Sequence, residues 1–214
     1  MAGPFEIPLA LKATSGNAFR YLDEHTKLRM AKVMPGYLYV TSDEEQICTT
    51  LGSCIAVCVR DPDAKVGGMN HFLLPEKTEA PGGTVGKKPA DQNRYGSYAM
   101  ENLIRAVIGC GGRRGNLEFK VFGGAKVLKA VGSVGERNIE FVENFLLQAG
   151  LTATASDVGG TQARKVQYDP ITGRAKVRRL NENAQEEKEV IKKESQLMSI
   201  FTSEIFKQEK IGNG

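Results

Sequence analysis

The sequence predicts an α/β fold: a single layered domain in which a mixed β-sheet with hairpins packs against helices. Three observations carry this expectation. Clusters of β-branched and aromatic residues recur from Tyr37 to Leu74 and again from Leu117 to Phe122. Two stretches with helical spacing are interleaved with them. Turn residues at Asp61-Pro62-Asp63 and Asp169-Pro170 join neighbouring strands too tightly for crossover helices, which argues against a purely parallel sheet.

In chain order, residues 1–36 mix short apolar clusters with charge and end in Met34-Pro35-Gly36, so they are expected to be an N-terminal extension that packs on the domain. The regular pattern starts at Tyr37. YLYVTS and QICTTLGSCIAVCVRD predict two or three strands, and VGGMNHFLLP, residues 66–75, predicts the next. Residues 76–91 carry proline, glycine and charge without apolar period and predict an exposed loop. Tyr98, Met100, Leu103, Ile104, Val107 and Ile108 mark a helix that stops at Gly111-Gly112. LEFKVFGG, residues 117–124, is a strand with a sharp glycine exit. Val142, Phe145, Leu146 and Ala149 predict a second helix, with Asn138 near its start as a cap. LTATASDVGG and the hairpin RKVQYDPITGRAKVRRL complete a domain over 37–180. Residues 181–214 form a C-terminal helical extension whose Met198, Phe201 and Ile205 share one stripe, suited to docking on the domain or to binding a partner.

The 214 residues are 41% hydrophobic and 25% charged, which supports a packed core and excludes a largely disordered chain. Twenty-nine Lys and Arg against 25 Asp and Glu leave +4, too mild a surplus to select nucleic acid over an acidic protein surface. Six basic residues between Arg164 and Arg179 fit a solvated hairpin better than a nucleic-acid site, since only Tyr168 interleaves them. Four cysteines, at 48, 54, 58 and 110, do not make a secreted disulfide framework and favour a reducing cytoplasm. No run approaches the roughly 20 apolar residues that span a bilayer, so a cytoplasmic protein without direct membrane insertion is expected.

Candidate sites narrow quickly. Gly82–Lys88 resembles a phosphate loop, but its glycine spacing is one residue short and no Ser or Thr follows the lysine. Cys48, Cys54, Cys58 and His71 could be counted as zinc ligands. However, two residues four apart on one strand are roughly 13 Å apart, whereas zinc holds sulfur at about 2.3 Å. Cys54 differs from the other cysteines because Leu51-Gly52-Ser53 precedes it, small residues at the head of an apolar strand whose amides can turn toward a bound carbonyl. A strand leading away from Cys54, a turn at 61–65 and a returning strand would bring His71 near the thiol. A nucleophile and its base need that closeness. On spacing alone, a Cys–His pair and two ordinary packed residues both remain readings.

TTLGSCIAVCVRDPDAKVGGMNHFLLP, residues 49–75, resembles the signature region of CheD, the chemoreceptor glutamine deamidases of bacterial chemotaxis. The likeness continues through Arg94-Tyr95, VFGGAKV at 121–127, Gly135-Glu136-Arg137-Asn138, Asp157-Val158-Gly159-Gly160 and the hairpin with Tyr168-Asp169-Pro170, covering about 37–180. The resemblance implies hydrolysis of receptor glutamine side chains to glutamate, with ammonia released. Cys54 matches the family nucleophile and His71 its histidine. The family's third residue is a threonine shortly before LGSC; Thr49 fits that setting better than the alternative, Thr50, and only one of the two can face the histidine. The amides of Gly52, Ser53 and Cys54 are the candidates for the oxyanion. No metal or organic cofactor is implied. The implied partners are the cytoplasmic domains of chemotaxis receptors, with the phosphatase CheC a partner of some members. A non-catalytic receptor-binding module and a receptor glutamyl methylesterase are the competing readings.

Overall fold

A computed structural model describes residues 18–75, 93–127, 134–181 and 184–211; in the last segment, side chains are described to Leu197 and at Ser199. The phosphate-loop-like run at 82–88 lies outside the described residues, as do the side chains of Met198, Phe201 and Ile205.

The chain opens with six strands: β1 (Ala18–Leu22), β2 (Arg29–Val33), β3 (Tyr37–Thr41), β4 (Gln46–Leu51), β5 (Ile55–Asp61) and β6 (Val66–His71). Helix α1 (Gly96–Gly109), β7 (Glu118–Gly123), α2 (Val134–Gln148) and β8 (Ala153–Val158) follow. The hairpin β9 (Arg164–Tyr168) and β10 (Ala175–Arg179) precedes the long terminal helix α3 (Gln185–Ile211). The fold is α/β with hairpins, as expected, and its strands divide between two mixed sheets. One has the order β1-β2-β4-β9-β10 and the other β3-β6-β5-β7-β8. Residues 18–33, read from sequence as part of an extension, add two strands to the first sheet, with β2 pairing β4 in parallel.

β5 explains the layering. Its IAVCV run is buried on both faces, which is why it reads as continuously apolar rather than alternating. Ile55, Val57 and Val59 face a core shared with Met100, Leu103 and Val107 of α1 and Val142 and Leu146 of α2. Ala56 and Cys58 face a second core, where Ile47, Leu51, Val166 and Tyr168 arrive from the other sheet. The order of layers is therefore helices, sheet, sheet.

Turn chemistry sets the hairpins. The Asp61 carboxylate accepts from the Asp63 and Ala64 amides at 2.9 and 3.1 Å, and Asp169 does the same for Ile171 and Thr172. Helix α2 starts at Val134, a turn before the expected cap Asn138, which sits fully buried inside the helix. Its carboxamide serves a tertiary contact instead of the helix end. In the basic run, Arg164 is buried against Asp157 and the Gly159 carbonyl, and Arg178 and Arg179 pair with Glu186 and Asp157.

Candidate active site

Residues 52–54 carry the chain from β4 in one sheet to β5 in the other, so LGSC lies at the seam between the two layers. Three carbonyls in this crossing are tied down. The amide of Gly124 donates to Cys54 O and that of Ala125 to Gly52 O, both at 2.8 Å. Asn138 Nδ2 donates to Ser53 O at 3.1 Å and to Leu73 O at 2.9 Å. Because a trans peptide points its N–H opposite its C=O, anchoring these carbonyls turns the following amides to the other side of the loop. Gly123, with φ of 114°, permits the turn that makes these anchors; a Cβ there would lie 2.1 Å from Cys54 O.

His71 ends β6, opposite Tyr37 of β3, and its carbonyl accepts from Gly36 N at 2.7 Å. The neighbouring Asn70 stiffens this strand end, accepting from Val57 N at 2.9 Å and donating to Ala99 O of α1 at 3.0 Å. The His71 ring enters the space between the sheets, where Thr49 reaches it from β4. Thr49 Oγ1 is 2.8 Å from both Val33 O and His71 Nδ1. A hydroxyl has one proton, and a carbonyl can only accept. Thr49 therefore donates to Val33 and accepts from His71, which places the imidazole proton on Nδ1 and leaves Nε2 with its lone pair. Among the described residues, Nε2 is buried without a hydrogen-bond partner.

Thr50 takes the opposite orientation. It is half-buried and pairs with Lys165 in the strand register, while Thr49 is buried beneath Val33.

A ring nitrogen of His71, Cys54 Sγ and a carboxylate oxygen of Glu194 lie within 4.8 Å of one another, and all three residues are buried. Glu194 belongs to α3. Its Oε1 accepts from Gly52 N at 2.8 Å, and its Oε2 from Ser53 N at 2.7 Å and Ser53 Oγ at 2.8 Å. Burial, followed by the charge of Glu194 and a hydrogen bond to it, pushes the Cys54 thiol well above its ordinary value. Burial draws His71 down to about 3, against a smaller upward pull from the Val33 carbonyl. In this arrangement the pair rests as a neutral thiol beside a neutral imidazole.

Cys54, Glu194 and the free nitrogen of His71 offer a donor set of the kind zinc accepts. It differs from the cysteine-rich set considered from sequence. Cys48 contacts the Tyr21 hydroxyl at 3.7 Å, and Cys58 is fully buried, its thiol pushed up by that burial. All four cysteines are free. The other histidine, His25, lies exposed in the β1–β2 turn.

Glu194 and the anchoring role of Asn138 escaped the sequence reading. EEKEVIKKES reads as a solvated helix face, and the only internal signal is the spacing of Glu187, Ile191, Glu194 and Leu197 along one side.

A family model described as CheD chemotactic sensory transduction matches residues 73–179. Among the relatives that bear the name "Probable chemoreceptor glutamine deamidase CheD" are those of three bacteria. That of Halorhodospira halophila is 47% identical over 165 residues, 77% of this chain and 76% of its own. That of Hahella chejuensis is 50% identical over 151 residues, covering 71% and 70% respectively. That of Vibrio vulnificus is 44% identical over 163 residues, covering 75% and 76%. At these identities over roughly three quarters of its length, the chain belongs to the CheD family. No helix among the described residues is long and apolar enough to cross a membrane.

Proposed function

We propose that this protein is a chemoreceptor glutamine deamidase, acting in the cytoplasm on glutamine side chains of receptor cytoplasmic helices. The observation that carries the proposal is a buried ring nitrogen of His71 within 4.8 Å of the Cys54 thiol, with Nε2 unpartnered among the described residues and two backbone amides beside the thiol. The names of the relatives supply the substrate class.

The chemistry follows from the atoms present. Cys54 Sγ attacks the side-chain amide carbon as its proton passes to His71 Nε2. The oxygen that becomes negative accepts from the Gly52 and Ser53 amides, the second of them fixed in advance by the anchored Gly52 carbonyl of its own peptide. Collapse breaks the C–N bond, and His71 returns the proton to the departing nitrogen as ammonia. Water then attacks the thioester carbon, giving a proton to Nε2. The C–S bond breaks, and the thiolate recovers that proton. The net change is amide plus water to acid plus ammonia. Thr49 holds the imidazole in the required tautomer throughout.

Incubation of reduced protein with a receptor signalling domain should convert specific glutamines to glutamate, read by peptide mass spectrometry together with ammonia release. Cys54→Ala should abolish both. Unmodified receptor in the presence of folded, reduced wild-type protein would reject the reading. Methanol released from a methylated receptor in place of ammonia would mark an esterase. CheC, suggested as a partner by the family resemblance, is tested by adding it to the same assay.

A further inference from the structure

The inner side of α3 packs on the domain through four residues, Glu187, Ile191, Glu194 and Leu197, spaced along one face as in a docked recognition helix. Ile191 packs against Val134, as Leu74 and Val127 do, and Leu197 joins the core between the sheets. The Ala163 amide donates to Glu187 Oε1 at 3.4 Å. Between these contacts Glu194, 3% exposed, delivers its carboxylate to the Gly52 and Ser53 amides. A Cβ on Gly52 would lie 2.6 Å from Glu194 Oε2 and 2.7 Å from Val127 Cγ2, so glycine is what leaves room for a side chain to arrive there.

This carboxylate is the very group that the proposed reaction makes: a glutamate side chain, presented by a helix, beside Cys54 and His71. We propose that α3 is a tethered product mimic that occupies the groove for a glutamine-bearing receptor helix, seats Glu194 on the amides that hold the substrate oxygen, and withdraws before a receptor helix enters. The inference rests on the deamidase reading and adds the pose of the substrate and a competitor built into the chain. The seated carboxylate also opposes ionisation of the thiol, so the helix quiets the nucleophile as well as covering it.

An amide at position 194 has one oxygen where Glu194 has two, so it would seat that oxygen on one of the two backbone amides and keep its carbonyl carbon beside Cys54 Sγ. Cys54 Sγ would bond to its carbonyl carbon, the C–N bond would break with release of ammonia, and water would cleave the thioester to leave the original glutamate. The full chain carrying Glu194→Gln, prepared with and without Cys54→Ala, is kept reduced with a chelator present, and residue 194 is followed by peptide mass spectrometry. The expected result is conversion to the acid at a first-order rate independent of protein concentration, and only when Cys54 is intact. An amide that persists, in a preparation that converts receptor glutamines, overturns the proposal. Glu194→Ala in the full chain should lower KM for the receptor domain by about tenfold with little change in kcat, because a tethered competitor acts at high effective concentration. Equal KM values for this variant and wild type would overturn it as well. If no protein with intact Cys54 converts any receptor glutamine, the deamidase reading itself fails and this inference falls with it, an outcome the receptor arm tells apart from the others.

Discussion

Thr49 and Thr50 are adjacent in sequence and opposite in consequence. Thr49 accepts the Nδ1 proton of His71 while donating to Val33, so Thr49→Ala removes the group that fixes the tautomer. Positioned proton transfer contributes about 100-fold to 10,000-fold. Single-turnover deamidation by Thr49→Ala should therefore fall roughly 10-fold to 100-fold, part of that range, because Val33 O can still take the proton less well. Thr50→Ala, on the other face of β4, should stay within about twofold of wild type, since it leaves proton transfer untouched. The reverse ranking would overturn the assignment. His71 also has a stability consequence. Its folded value of about 3 lies below the ordinary 6.5, so the unfolded chain takes the proton first. The contribution of the neutral buried ring is complete above pH 6.5 and is lost as pH falls toward 3. Unfolding free energy should decline more steeply below pH 6.5 in wild type than in His71→Gln, by at most about 1.4 kcal/mol per pH unit; parallel curves would contradict it. At this scale, Cys54 and His71 could be singled out in the sequence because unusual small residues flank the thiol and a short hairpin returns the histidine, whereas Thr49 came only from the family resemblance, with Thr50 as its alternative. Glu194 could not, because its partners are backbone amides some 140 residues away and nothing in EEKEVIKKES distinguishes a buried acid from a solvated one.

The elements behind the site matter as much as those in front of it. Helix α2 contributes no group to the reaction, yet Asn138 holds the Ser53 and Leu73 carbonyls from behind. Asn138→Ala leaves two buried acceptors unpaired, at a cost of about 2 kcal/mol. Melting temperature should drop by roughly 4–8 °C for a chain of this size. At a temperature where the variant is folded, kcat should fall more than KM rises, because the crossing that carries the Ser53 amide and the Cys54 thiol loses a restraint. Unchanged kcat in a destabilised protein would confine Asn138 to a packing role. Most elements were legible: periodicity and turn residues located α1, β7, the β9–β10 hairpin and the strand content of 37–71. Their division into two sheets was not, because alternation says which face of a strand is buried and nothing about which sheet it joins. β1 and β2 were missed for a related reason. β1 is an edge strand with Phe19 and Leu22 exposed, and edge strands lack the clean pattern that burial imposes.

At the scale of the whole molecule, the groups of the site come from different layers. Thr49 belongs to one sheet and His71 to the other, while Cys54 sits on the short crossing between them. The two sheets share an apolar core, and the Thr49–His71 bond is a polar bridge across it. Apolar contact is non-directional and tolerates small slides, whereas a 2.8 Å hydrogen bond does not. Heating should therefore disturb the bridge before it unfolds either sheet. Deamidation rate should depart from a straight Arrhenius line, reversibly, several degrees below the melting transition seen by far-ultraviolet circular dichroism, following the size scaling of such transitions. Coincident loss of rate and ellipticity would mean that the layers hold rigidly until they unfold together. A site stitched across a seam is in effect an alignment gauge: its turnover reports the lateral registry of two sheets, and any ligand that shifts one sheet over the other by a fraction of an ångström could set the rate without touching the cleft.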